Sequence, residues 1–330
     1  MLKSLSLFTT ALMLSSAPVQ ARNIVLTNDD GLTSNVVALY RALKKAGHDV
    51  VVSVPCTNQS GMGAALNIGH PLTPLKEPCL NNAAQPGDPG AGPMTRNGLT
   101  AGDFHYVNGT PVMALLYGLD VLSIERWGDE PDLVLSGPNE GQNVGAIILS
   151  SGTVSNSQYA AVRGIPAIAL SAGANSEGPD LANPISAQVA QRVVELVNAL
   201  EHKAGEGALL PRGLALNVNF PDELDGAQWR ATQVGTYNTY AIGFTVNMAE
   251  TASPAMRAIA EGRGMQVPPL PGLNFAINET PPTPDQENDE SAVYRQHIAV
   301  SPMQVGYAAS PAAVATVNWQ LSELLLERAE

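Results

Sequence analysis

The sequence predicts an α/β protein built on an open, mostly parallel sheet with helices on both faces. Three observations carry this. Short apolar runs such as "DVVVSV" (49–54) and "PDLVLSG" (131–137) lack polar alternation, as strands buried on both faces do. Segments with apolar residues at helical spacing lie between those runs. The two patterns alternate from residue 23 to residue 221, and strands joined by helices imply parallel pairing.

Taken in order, the first strand is predicted at Ile24–Leu26. Ser34–Ala46 follows as a helix: Val36, Tyr40 and Leu43 share a face, Thr33 or Ser34 caps the start, and Gly47 ends it. Asp49–Val54 completes a β-α-β opening. Another strand is expected near Ala64–Ile68, and residues 74–102, rich in Pro, Gly and Asn, read as an irregular excursion. "DFHYVNGTP" is a strand and turn, from which Pro111 opens a helix to about Leu122. Pro131–Gly137 is a strand, followed by a long Asn-, Gly- and Ser-bearing loop and a short helix. Gly164–Ser171 is a strand, Ser186–His202 an amphipathic helix, and Leu214–Pro221 a strand. From Trp229 the pattern changes: "WRATQVG" reads as an exposed strand, Thr245–Glu290 as part of a hairpin or arm with an insertion, and Ala292–Gln304 as a strand. Ala312–Arg328 closes the chain as a helix.

An apolar content of 45% across 330 residues supports a packed core. The net charge of −13 and the lack of a Lys/Arg cluster disfavour nucleic acid polymers and anionic membranes as partners. Residues 1–21 carry Lys3, an apolar run from Leu5 to Leu14 and a small-residue end, Val19-Gln20-Ala21. This is the pattern of a secretory signal peptide, and its apolar core is too short to span a membrane. The expected protein is therefore exported, periplasmic or secreted, with 22–330 as a single mature domain. Its core is expected at about 22–225, an arm and insertion at about 226–304, and a C-terminal helix at about 311–328. Export permits a Cys56–Cys79 bridge, although two unpaired thiols fit the sequence equally.

Ligands of open parallel sheets bind at the carboxyl ends of the strands, so the loops there rank first. They hold Asn28, Asp29 and Asp30; Asn58, Gln59, Ser60 and Gly61; Asn139, Gln142 and Asn143; and Ser150, Ser151, Gly152 and Thr153. Two carboxylates with hydroxyl and carboxamide oxygens suit a divalent metal such as Mg²⁺, Mn²⁺ or Ca²⁺. Alone, "NDDG" reads as well as a turn, and "SSGT" reads better as a helix cap than as a phosphate seat. There is no G-x-S-x-G elbow and no phosphate-binding P-loop. His48, His70, His105, His202 and His297 are scattered and read as structural or exposed.

"IVLTNDDG", "PCTNQSG", "VNGTPVMALLYGL", "PDLVLSGPNEGQNVG", "SSGTV", "GIPAIALS" and "LNVNFP" stand in the order of the SurE survival-protein family, which this sequence resembles from Asn23 to Pro221. The resemblance implies a single SurE-like α/β domain, with a Rossmann-like sheet and a C-terminal β-arm exchanged between subunits of a homodimer or homotetramer. It implies metal-dependent hydrolysis of nucleoside 5′- or 3′-monophosphates. Carried over by residue, the metal would be held by Asp29, Asp30, Ser60 and Asn139, and the phosphate would lie by Asn143, Ser151, Gly152 and Thr153. Asp29 is the expected catalytic residue, ligating the metal and orienting or deprotonating water. This chain departs from the family pattern at Ala146, where an aspartate is usual, at Ser150, where a tyrosine is usual, and at Gln158 or Tyr159, in place of a glutamate. Those departures leave two alternatives open: a secreted, metal-stabilised nucleotide-binding protein without catalysis, and a broad acid phosphatase. A nucleotide-sugar transferase is a further, weaker alternative.

Overall fold

The computed structural model describes residues 21–262 and 264–325. The expected signal peptide lies outside the described residues except for Ala21, and so do residues 326–328 of the expected last helix.

The elements in chain order are β1 (Asn23–Thr27), α1 (Ser34–Ala46), β2 (Asp49–Pro55), β3 (Ala91–Pro93), β4 (Phe104–Val107), α2 (Pro111–Tyr117) and α3 (Ser123–Trp127). There follow β5 (Leu133–Glu140), α4 (Gly152–Val162), β6 (Ala167–Ala172), α5 (Pro184–Ala204), β7 (Leu214–Asn219) and β8 (Trp229–Ala231). The chain ends with β9 (Tyr240–Thr245), α6 (Met248–Thr251), α7 (Pro254–Gly262), β10 (Gly272–Ile277), α8 (Glu290–Val293), β11 (Ile298–Gln304), α9 (Pro311–Gln320) and α10 (Ser322–Leu325).

Nine strands form one sheet in the order β3-β4-β2-β1-β5-β6-β7-β11-β8. The pairs from β4 through β7 are parallel, while β3 and β11 run antiparallel to their neighbours β4 and β7. The chain builds outward from β1 to β2 and β4, then returns to place β5 on the other side of β1. The carboxyl ends of β1 and β5 therefore flank the switch point where such sheets open a crevice.

Strand β1 shows how the two faces are covered. Ile24 and Leu26 pack with α1 and α5 on one face, while Val25 packs with α2 and α4 on the other. Helix α1 has its expected bounds: the Thr33 hydroxyl accepts from the Val36 amide, and Gly47 closes the last turn in a left-handed conformation.

Several expectations change. Ala64–Ile68 is a loop and not a strand, and the neighbours of β2 and β4 in the sheet come from other segments. The Ala65 carbonyl instead accepts from the Thr110 hydroxyl at 2.6 Å. The excursion at 74–102 supplies the edge strand β3, and a disulfide between Cys79 and Cys56 ties it to the end of β2. The helix from Pro111 runs past Leu122 to Trp127 through one wider turn at Gly118–Leu122. The arm is narrower than 226–304. Trp229–Ala231 and Ile298–Gln304 belong to the main sheet, since β11 buries Ile298, Ala299, Ser301 and Met303 against it. The separate two-stranded arm is β9 with β10. Ala292 lies in the short α8 and not in a strand, and the last helix breaks at Leu321.

Candidate metal and phosphate site

The turn after β1 is shaped by its own side chains. The Asn28 carboxamide donates to the Gly31 carbonyl at 2.8 Å and accepts from the Gly31 amide at 3.0 Å. This clasp leaves Asp29 and Asp30 at the crevice, both almost wholly buried. Strand β5 arrives beside them through a bulge between Ser136 and Asn139. Gly137 sits at φ +113°, where a side chain would collide with the Leu170 carbonyl, so the kink requires glycine.

Three loops converge on the two carboxylates. Asp30 Oδ1 accepts from the Asn58 carboxamide at 2.9 Å and from the Ser60 hydroxyl at 3.3 Å. Its Oδ2 accepts from the Glu140 amide at 3.1 Å. The Thr153 hydroxyl lies 2.5 Å from Asp29 Oδ1 and 3.1 Å from Asn139 Oδ1, which joins three of the expected site residues at one atom. Thr153 occupies the first turn of α4, whose start is capped by the Ser151 hydroxyl accepting from the Val154 amide. A Cβ at Gly152 would stand 2.6 Å from both Asp29 Cβ and Pro111 Cγ. Only glycine lets the amino end of α4 approach Asp29 this closely.

The electrostatics are unfavourable as they stand. Burial pushes the Asp29 carboxyl up, partly offset by the Thr153 hydroxyl. Burial pushes Asp30 well up, and the charges of Asp29 and Glu140 push it further. Glu140 is raised to about 7 by burial and then by Glu177. Among the described residues, no Lys or Arg side chain is a hydrogen-bond partner of Asp29 or Asp30. Two adjacent buried carboxylates with neutral hydroxyl and carboxamide oxygens around them fit a hard divalent cation. Among the described residues, no group of three or more His, Cys, Asp or Glu has a metal-binding arrangement, so the fit rests on this mixed oxygen set.

Asp29, Asp30, Ser60, Asn139, Gly152 and Thr153 are thus brought together. Ser151 serves as a cap at the same place. Asn143 is directed elsewhere: its carboxamide donates to the Ser171 hydroxyl at 3.0 Å, and its carbonyl accepts from Asn217 and Asn219. The Glu140 amide and the Asn217/Asn219 pair emerge only in the structure, which also gives Asn58, expected only as a member of its polar loop, a contact to Asp30. The spacing of Asn217 and Asn219 in "LNVNFP" is the one sequence signal for the last, since two residues apart on a strand means one face. At the family departures, the Ala146 amide donates to Asn238, Ser150 is exposed, and Gln158 accepts from the Gly306 amide.

Comparisons with known proteins show the family and the fold. The family model described as Survival protein SurE matches residues 24–241. A 5′-nucleotidase SurE of Thermosipho melanesiensis is 32% identical over 216 residues, covering 64% of this chain and 70% of that protein. An acid phosphatase of Yarrowia lipolytica is 34% identical over 211 residues, covering 60% of this chain and 56% of that protein. The crystal structure of the SurE protein from Aquifex aeolicus superposes with a TM-score of 0.61 at 27% identity, over 90% of this chain and 98% of that one. The matched region contains every strand from β1 to β8 and every residue of the crevice, and the chain belongs to the SurE survival-protein family.

Proposed function

We propose that this chain hydrolyses phosphate monoesters of nucleotides, most directly nucleoside 5′- or 3′-monophosphates. The observation that carries this is the buried Asp29–Asp30 pair at the sheet's switch point, in a chain whose family relatives include 5′-nucleotidases and an acid phosphatase. Asp29, Asp30, Ser60 and Asn139 would hold a divalent metal. Such an ion, when bound, polarises phosphoryl oxygens and lowers the pKa of water. Asp29 orients the attacking water and takes its proton. Thr153 fixes the Asp29 carboxylate through its 2.5 Å hydrogen bond. The amino end of α4, at Ser151-Gly152-Thr153, offers backbone N–H groups to the phosphate. A cavity of about 510 Å³ bordered by Ser34, Leu80, Asn81, Glu140 and Glu177 adjoins the crevice and has room for the alcohol half of the ester.

The test is a phosphate-release panel over 5′- and 3′-nucleotides and a generic aryl phosphate, with Mg²⁺, Mn²⁺ or Ca²⁺ against EDTA. Release is expected with a divalent ion and none with EDTA. Tight nucleotide binding without release overturns the reading in favour of a binding protein that has lost catalysis, a reading that Ala146 and Ser150 favour.

The same proposal places the protein outside the cytoplasm, in the periplasm or secreted. The pattern of residues 1–21 and the Cys56–Cys79 bridge support this, since disulfides persist in oxidising compartments. No helix among the described residues is long and apolar enough to cross a membrane. Assembly into a homodimer or homotetramer is supported by apolar side chains exposed on the arm, including Phe244, Val246 and Leu273.

A further inference from the structure

At the far end of the sheet lies a second buried charge cluster that hydrolysis does not use. Ala21 is exposed, whereas Arg22 is only 5% exposed, so the chain enters the interior across the Ala21–Arg22 bond. Arg22 Nε lies 3.5 Å from Glu201 Oε1, on α5, and Arg22 Nη1 lies 3.9 Å from Asp132 Oδ1. Another guanidinium nitrogen donates to the Gly205 carbonyl at 2.8 Å. The Arg22 backbone N–H donates to His48 Nδ1 at 3.3 Å, and that same nitrogen lies 3.8 Å from Glu201 Oε1. The backbone nitrogen of Arg22 and the Glu201 carboxylate therefore meet at one imidazole.

Among the described residues, the cluster holds fewer cations than carboxylates. Burial, and then the Arg22 charge, lower the pKa of His48, which leaves it neutral at pH 7. A single cation, Arg22, then faces two carboxylates, Glu201 and Asp132. Glu201 is 6% exposed, and among the described residues neither of its oxygens accepts a hydrogen bond, Arg22 Nε facing Oε1 only at 3.5 Å. Buried carboxylates are ordinarily paired with donors. The peptide N–H of Arg22 has one donor, already given to His48. An α-ammonium at the same position has three donors and supplies the missing charge.

We propose that the chain is processed between Ala21 and Arg22, and that the new α-ammonium of Arg22 is seated against His48 and Glu201. The processing rests on the export reading of residues 1–21. Hydrolysis by the exporting cell's signal peptidase adds one water across the peptide bond. It leaves a carboxylate on Ala21 and an amine on Arg22, which takes up a proton. The mature amino terminus is then a neutralising member of the fold and not a loose end. Because the seat is at the amino ends of the strands, it leaves the crevice at their carboxyl ends untouched.

Two chains purified without export test the seat, one beginning at Arg22 and one at Ala21. The Arg22 chain is expected to melt roughly 2–4 °C higher, and its α-amine to be acylated about tenfold more slowly. In Glu201→Gln both differences are expected to vanish. Equal melting temperatures and equal acylation rates in the first two chains overturn the seat, and that comparison needs no Glu201 variant. The full chain, expressed in an exporting bacterium, is expected to yield a protein whose intact mass starts at Arg22. Cleavage at another bond overturns the processing site while export stands. An uncut chain kept in the cytoplasm overturns the processing site and the export reading together.

Discussion

The two ends of the sheet handle aspartate in opposite ways. At the amino ends of β2 and β4, Asp49 and Asp103 each have a cation. Arg126 grips Asp49 through two nitrogens, at 2.6 and 2.8 Å, and reaches Asp103 at 2.6 Å. Lys44 adds a contact to Asp49 at 3.0 Å, and the Trp127 indole donates to it as well. Arg126 holds the Asp49 carboxyl far below the usual range. At the carboxyl ends of β1 and β5, Asp29 and Asp30 are more deeply buried, and among the described residues their hydrogen-bond donors are neutral. Paired charges there would stabilise the fold and leave nothing for a cation to do. Two like charges buried side by side are costly to the fold, and a bound cation would offset that cost.

The largest expected effect breaks that contrast at the crevice. Asp29→Asn should lower kcat/KM for phosphate release by about 10³-fold. Its melting temperature in EDTA should be equal or higher, because one of two repelling charges is gone; a large fall would make Asp29 structural instead. Gly152→Ala should cost about 10²-fold in kcat/KM, since the added carbon pushes α4 away from Asp29 and small misplacements at reacting groups are expensive. Wild-type turnover in that variant would mean the close approach is incidental. At the other end, Arg126→Ala should cost about 2 kcal/mol in denaturant unfolding, discounted for its partial exposure, with kcat per folded molecule unchanged. A pH-dependent effect concerns Glu290, whose pKa burial raises from 4.5 to about 7. A raised acid pKa favours the folded state most below pH 4.5, and this contribution is lost as pH rises through about 7. Melting temperature followed against pH should show that fall in the wild type and a flatter line in Glu290→Gln.

Much of the fold was legible because its strands are uniform and its helices are punctuated. Helix α1 has its cap and its glycine stop in the sequence, and β2 is a valine-rich run interrupted only by Ser53 after its first residue. Ala64–Ile68 reads as a strand and is a loop, because local apolar content does not say whether a sheet neighbour is available to pair with it. Strand β11 was placed but its partner was not, since antiparallel return to β7 depends on the route of the whole arm. In the crevice, Asp29, Asp30, Ser60 and Asn139 stood out as polar residues at strand ends. Asn143 stood out equally, yet its carboxamide serves Ser171, and the direction of an amide in a loop is not encoded in spacing. The bridging hydroxyl of Thr153 depends on α4 reaching Asp29, which only the three-dimensional approach at Gly152 reveals.

The Cys56–Cys79 bridge has a consequence beyond tying down an excursion. It spans 23 residues, and in the chain-entropy picture a loop of that length removes about 3 kcal/mol of freedom from the unfolded ensemble. The segment it closes contains Ser60, and just beyond Cys79 come Leu80 and Asn81, which wall the cavity next to Glu140. One covalent link therefore shortens the conformational search for the hydroxyl that meets Asp30 and for the wall of the neighbouring cavity at once. Reduction of the bridge would return that search to both together.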